Sequence, residues 1–266
     1  MTYRNSQSQI PIHASTDFIS MRKAGKLAAE VLDFITSHVQ IGVTTDHLDT
    51  LCHNFILEHG AIPAPLNYRG FPKSICTSVN HVVCHGIPGP KTLYDGDILN
   101  IDVTVILDGW HGDTNRMFYI GKPSLKAQKL VETTYEAMMR GIEVMGPGAQ
   151  LGDIGHAIQS YAEKKGYSVV RDFCGHGIGK KFHDAPDVLH FGRKGTGDTL
   201  ETGMFMTVEP MINAGRYEVK ILQDGWTAVT KDKSLSAQFE HTVGITETGV
   251  EIFTLSQKGY AYPPYK

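Results

Sequence analysis

Between residues 17 and 38 the apolar positions Leu27, Ala28, Val31, Leu32 and Ile35 recur at helical spacing. Leu48, Leu51, Cys52, Phe55 and Ile56 do the same between 46 and 59, with Thr45 reading as the N-cap and Gly60 as the stop. Strand-like patterns follow at 74–85 and 97–107, and a second hairpin arm runs to about 120. The pattern then begins again, since 124–145 and 151–166 read as helices. An offset of 106 residues lays Gly42 on Gly148, Leu48 on Ile154, Phe55 on Tyr161 and Gly60 on Gly166. We expect two halves, about 15–120 and 121–256, each a pair of helices followed by antiparallel strands. They fuse into one α+β domain over 15–260, behind a polar segment 1–14. A chance likeness between two helix–turn–helix stretches is the alternative.

The hairpin carries the first chemistry. With Asp108-Gly109 as its two-residue loop, Leu107 pairs with Trp110 and Thr104 sits opposite Asp113. Alternation puts Asp102 on the face of Thr104, so Asp102 and Asp113 become diagonal neighbours roughly 7–8 Å apart at Cα. Two like charges that close in a sheet interior repel unless something positive lies between them. Arg116 is close enough in sequence to be the partner; a metal ion is the other candidate. Two more carboxylates stand in apolar strand-like runs, Glu209 in "MFMTVEPMI" and Glu240 in "AQFEHTVGI". In "FCGHGIGKKFHDAP", glycines 175, 177 and 179 place His176 in a tight loop, with His183 seven residues on. This is neither a dinucleotide fingerprint, because Lys180 stands where the last glycine belongs, nor a P-loop. His85 lies where a strand gives way to Gly-Pro turn chemistry.

Counting charge sets the number of ions. Asp102, Asp113, Glu209 and Glu240 bring four negative charges and His176 a neutral nitrogen. One divalent cation leaves such a site strongly negative, whereas two bring it near neutrality. Oxygen-rich ligands with one imidazole suit Mn, Fe, Co, Ni or Zn rather than a thiolate-held structural zinc.

Composition narrows the class. A net charge of −3 gives no electrostatic footprint for nucleic acid or an acidic membrane. The four cysteines show no CxxC pair, which fits a reducing compartment, and no run of 18 apolar residues spans a membrane. The first residues are polar and lack the apolar core of a signal peptide, so a cytoplasmic protein is expected.

The ordered set "VVCHGIP", "NIDVTV", "HGDTN", "FCGHGIGKKFH", "TVEPMI" and "AQFEHT" closely resembles type I methionine aminopeptidases in their bacterial form, from about residue 12 to 256. The resemblance implies the pita-bread fold, with internally duplicated halves around a curved antiparallel sheet. No zinc-finger extension precedes the domain, and the 26 residues from His183 to Glu209 leave no room for the helical insertion of type II enzymes. By the same resemblance, Asp102, Asp113, His176, Glu209 and Glu240 would hold two divalent ions, with Asp113 and Glu240 bridging. Glu209 would relay a proton from a metal-activated water, His183 would stabilise the oxyanion, and His85 would contact the scissile amide or amine. The substrates would be nascent or free polypeptides beginning with Met and followed by a small residue. Tyr68, Phe71, Cys76, Phe182 and Trp226 would wall the methionine slot, where soft contacts suit a thioether. Some bacterial relatives carry a cysteine where Pro65 stands. Main-chain oxygens of Asn80, Val82 and Ser236 would match a monovalent cation site (Na or K). Two other readings stay open: a proline-specific peptidase of the same fold, and a metal-free interaction protein that kept the fold without the chemistry.

Overall fold

The computed structural model describes residues 9–265, so residues 1–8 of the polar N-terminal segment lie outside it. Helix α1 (Ser15–Ile35) buries Met21, Ala24, Ala28, Val31, Leu32 and Ile35, the face its 3.6-residue spacing predicts. Helix α2 (Thr45–Glu58) starts one residue earlier than expected. Its cap is Thr44, whose hydroxyl accepts the His47 N–H at 3.2 Å, whereas the Thr45 hydroxyl donates to the Gly89 carbonyl at 3.1 Å. Helices α3 (Leu125–Glu143) and α4 (Leu151–Lys164) open the second half. Ser124 caps α3, accepting from the Ala127 N–H at 3.2 Å. Helices α2 and α4 are both 14 residues long and begin 106 residues apart. Gly60 and Gly166, just past their ends, both have positive φ, +71° and +85°.

Strands Ile98–Leu107 and Trp110–Tyr119 form the expected hairpin, with Leu107 opposite Trp110 and Thr104 opposite Asp113. Asp108 and Gly109 take φ of +51° and +80°, as a type I′ turn requires. The hairpin joins Ile62–Pro63 and Cys76–Val79 in a four-stranded antiparallel sheet. The second half builds a five-stranded antiparallel sheet in the order Val250–Ile252, His241–Ile245, Phe205–Val208, Gly175–Gly177, Asp184–Val188. Hydroxyls stitch the two halves together. Thr114 Oγ donates to the Glu240 carbonyl and Thr242 Oγ to the Asp113 carbonyl, both at 2.7 Å. Each half has its own core, one around Leu32, Leu48, Ile101 and Val103, the other around Val131, Met138, Ile154 and Val243. Helix α1 lies so close to the hairpin that a Cβ at Gly112 would come within 2.3 Å of the Ala24 carbonyl.

Two local expectations need correction, at His176 and Glu209, while Glu240 directly precedes a strand as expected. His176 lies in a short strand, Gly175–Gly177, not in a loop. Its glycines serve close strand packing, since a Cβ on Gly177 would fall 1.8 Å from the Ala185 carbonyl oxygen. Glu209 lies in the break between Phe205–Val208 and Met211–Asn213, and Glu240 in the break between Ser236–Gln238 and His241–Ile245. Neither is inside a continuous strand, because Pro210 cannot donate to a ladder and each carboxylate turns toward the other half.

Arg116 does not neutralise the aspartates. Its guanidinium donates to Asp33 on α1 at 2.6 Å, where Asp33 also accepts from Ser256 Oγ (2.8 Å) and the Gln257 N–H (3.1 Å). One carboxylate thus ties hairpin, helix and C-terminal segment. Asp33→Ala leaves a buried guanidinium unpaired and should cost about 3–5 kcal/mol of stability in denaturant titration. A loss under 1 kcal/mol would show that the pair is dispensable.

Candidate active site

The concave face between the halves holds a cavity of about 350 Å³. All five expected ligands line it, as do His85, His183, Tyr68, Phe71, Cys76, Phe182, Trp226 and Pro65. Residues more than 130 apart in sequence, such as Asp102 and Glu240, meet there because the two halves face each other across the seam. Asn80, Val82 and Ser236 lie outside the cavity. The Asn80 carbonyl accepts the Ser236 N–H at 2.9 Å, so two of these three main chains meet directly.

Asp113, His176 and Glu240, all buried, each offer one ligand atom, and these atoms lie within 4.8 Å of one another. His176 Nε2 is 3.6 Å from both Asp113 and Glu209. His176 Nδ1 lies 3.0 Å from the Gly177 carbonyl and donates to it, which leaves Nε2 as the free nitrogen facing the carboxylates. Second contacts orient the carboxylates: Thr104 Oγ donates to Asp113 (2.7 Å), Thr207 Oγ to Glu209 (2.8 Å) and Asn115 Nδ2 to Glu240 (2.9 Å). The Glu209 main-chain N–H donates to Nε2 of the fully buried His190 at 3.1 Å.

Burial, reinforced by the neighbouring carboxylates, drives Asp102 and Glu240 well above the usual carboxylate range. Glu209 is raised to about 7, again chiefly by burial. Burial alone would lower His176, but the attraction of Asp113 and Glu209 outweighs it and the imidazole is raised. This donor set fits metal ions. Four carboxylates and one imidazole nitrogen converge where Arg69 is the one lysine or arginine in the lining and where Arg116 is committed to Asp33.

His85 adopts φ +55°, unusual for a non-glycine residue, and burial lowers its pKa to about 4. Its ring meets Phe173 and Trp226 edge-on. His183 stands at the rim with Nδ1 3.0 Å from the Tyr68 hydroxyl and its ring 4.1 Å from Phe182. Desolvation and the surrounding cationic groups lower it to about 2. Phe71 packs edge-on against Trp226 at 5.2 Å, beside the buried Cys76.

The description "Metallopeptidase family M24" matches residues 20–247. The methionine aminopeptidase of Rickettsia prowazekii is 68% identical over 257 residues, covering 96% of this chain and 99% of that one. Its crystal structure superposes with a TM-score of 0.92, covering 93% and 100% of the two chains. The methionine aminopeptidase of Thermotoga maritima, 37% identical, superposes at 0.91 over 92% and 99%. An Xaa-Pro dipeptidase of Bacillus anthracis, at 23% identity and a TM-score of 0.71, shares the fold; the match covers 91% of this chain and 61% of that one. The chain therefore belongs to metallopeptidase family M24 and has its pita-bread fold. Within it, the chain stands with the bacterial type I methionine aminopeptidases.

The five expected ligands and the expected slot residues all line the cavity, whereas Thr207, Gln238 and His190 were not among the residues the sequence singled out. Thr104 was within reach, since the hairpin register already sets it opposite Asp113. His190 has no local signal, as its partner is a main-chain N–H 19 residues away.

The raised carboxylates predict a pH dependence. In the unfolded chain they ionise near pH 4, whereas Glu209 in the folded chain ionises at about 7. The folded form therefore holds its proton more tightly, and without metal its stability falls as pH rises from about 4 to about 7. Cations bind the ionised form and offset that loss. The gain in Tm between chelated and Mn-loaded protein should grow from pH 5 to pH 8. A gain independent of pH across that range would contradict it.

Proposed function

We propose that this chain removes the N-terminal methionine from newly made proteins and peptides when the second residue is small, using two divalent cations. The observation that carries this reading is the convergence of Asp102, Asp113, His176, Glu209 and Glu240 in one apolar-walled cavity. When bound, the cations acidify a water and polarise the first peptide carbonyl. The chain's own groups do the rest. Glu209, held by Thr207 Oγ, takes the proton of the attacking water. The Tyr68 hydroxyl lies 3.0 Å from His183 Nδ1, and in the tautomer where it donates to that nitrogen, Nε2–H would be free to donate to the developing oxyanion. His85, neutral at physiological pH, would accept from or donate to the amide or amine. Tyr68, Phe71, Cys76, Phe182 and Trp226 hold the methionine side chain through ring and thiol contacts with its sulfur. The cavity, at the small end of ligand pockets of about 300–1,000 Å³, suits a methionyl residue with a small neighbour.

Mn, Fe, Co, Ni and Zn all suit the donor set. Asn80, Val82 and Ser236 would hold a Na or K ion through main-chain oxygens. No described helix is long and apolar enough to cross a membrane, and cytoplasmic action on nascent chains follows from the substrate.

The direct test is to strip the protein with a chelator and titrate back Co or Mn. Free methionine should be released from Met-Gly-Met-Met but not from its N-acetylated form. Glu209→Gln should lower kcat by 10²-fold or more, as expected for loss of a proton-transfer group. Release from the acetylated peptide, or faster cleavage of Xaa-Pro than of Met-Ala peptides, would overturn the substrate assignment. No release at any metal level would bring forward the interaction-protein reading.

A further inference from the structure

The two motifs that carry the aspartates each hold an asparagine that the reaction leaves without a role: Asn100 in "NIDVTV" and Asn115 in "HGDTN". The hairpin register puts both on the metal-facing side, with Asn115 directly opposite Asp102. Asn115 Nδ2 donates to Glu240 Oε2 at 2.9 Å. Asn115 Oδ1 accepts from Asn100 Nδ2 at 2.8 Å, and the same Asn100 nitrogen donates to the Gln238 main-chain carbonyl at 2.9 Å. Asn100, Asn115, Gln238 and Glu240 are each at most 3% exposed.

The two ends of an amide differ in what they can donate, so partners decide its orientation. A main-chain carbonyl only accepts, which obliges Asn100 to present its NH₂ to Gln238. That NH₂ also faces Asn115 and calls for its carbonyl. Asn115 is then left with its NH₂ toward Glu240. Polarity runs from the backbone to the carboxylate in one direction.

We infer that Asn100 and Asn115 form an amide relay that fixes Glu240 in the rotation of a divalent-metal ligand, with Asn115 the positioning residue. This rests on the metal-site reading above. A merely structural role explains less. The strands of Asn115 and Glu240 are already joined by the Glu240 N–H to the Asn115 carbonyl (3.2 Å) and by the Thr114 hydroxyl. Asn100 keeps a buried Oδ1 with no partner among the described residues, a cost without evident return in packing. An oriented donor beside a ligating carboxylate is what metal sites commonly require.

The test is calorimetric titration of Mn(II) into chelator-stripped protein, with thermal unfolding of each metal-free variant alongside. Asn115→Leu should keep the fold and weaken Mn(II) binding about 10–100-fold, and Asn115→Ser, which keeps a donor, should recover most of it. Asn100→Asp turns the donor into an acceptor, drawing the Asn115 NH₂ away from Glu240; its loss should be at least as large. A relay also predicts that Asn100→Leu adds nothing further once Asn115 is Leu. Folded Asn115→Leu protein that binds Mn(II) within twofold of wild type would overturn the relay, as would additive losses. Should Asn115→Leu not fold, Asn100→Asp decides alone: unchanged affinity there overturns the proposal. No Mn(II) uptake by wild type would remove the metal reading and the relay with it.

Discussion

Asp102, Asp113, Glu209 and Glu240 share one cavity whose lining holds a single arginine, Arg69, and no lysine, and the rest of the structure is arranged around that constraint. Burial first, and then the neighbouring like charges, disfavour ionisation there, which is why Asp102, Glu209 and Glu240 are all raised. Arg116 lies on the opposite face of the hairpin and pairs with Asp33 instead. Alternation along the strand makes this inevitable, because Asn115 and Arg116 point to opposite sides. With Arg69 the one lysine or arginine lining the cavity, most of the balancing charge must come from protons or bound cations.

The fold meets the constraint by duplication. The first half supplies Asp102 and Asp113 from an unbroken hairpin, whose register alone sets their separation. The second half supplies Glu209 and Glu240 from breaks in its strands. A break frees a longer side chain from strict alternation and lets it reach across the seam, at the cost of ladder hydrogen bonds. Other contacts replace what the break removes: His190 accepts the Glu209 N–H, and Asn115 main chain accepts that of Glu240. Short threonine and asparagine side chains then hold Asp113, Glu209 and Glu240 from behind.

Much of this was legible in the sequence because its cause was local. Hairpin register followed from Asp108-Gly109, and helix bounds from apolar spacing and terminal glycines. The expected ligand set came from carboxylates standing where burial makes them anomalous. What the sequence concealed depends on contacts far apart along the chain. The break at Glu209 looks like a continuous β-type run until the partner strands are known. His176 reads as a glycine loop because nothing local reveals that Thr207 and Ala185 press on its flanking glycines. The cap of α2 moved by one residue because Thr45 finds Gly89, 44 positions on, a better partner for its hydroxyl.

The same electrostatics explains why His85 and His183 are compatible with a cation site. A protonated imidazole beside two divalent ions would repel them and a substrate amine alike. Burial lowers His85 to about 4, and desolvation with cationic neighbours lowers His183 to about 2, so both are neutral across the physiological range. Neutral rings still donate one hydrogen bond each, and the Tyr68 hydroxyl orients the His183 ring through Nδ1. His176 differs because its neighbours are Asp113 and Glu209, which raise it. Adjacent carboxylates thus set the His176 imidazole apart from those of His85 and His183.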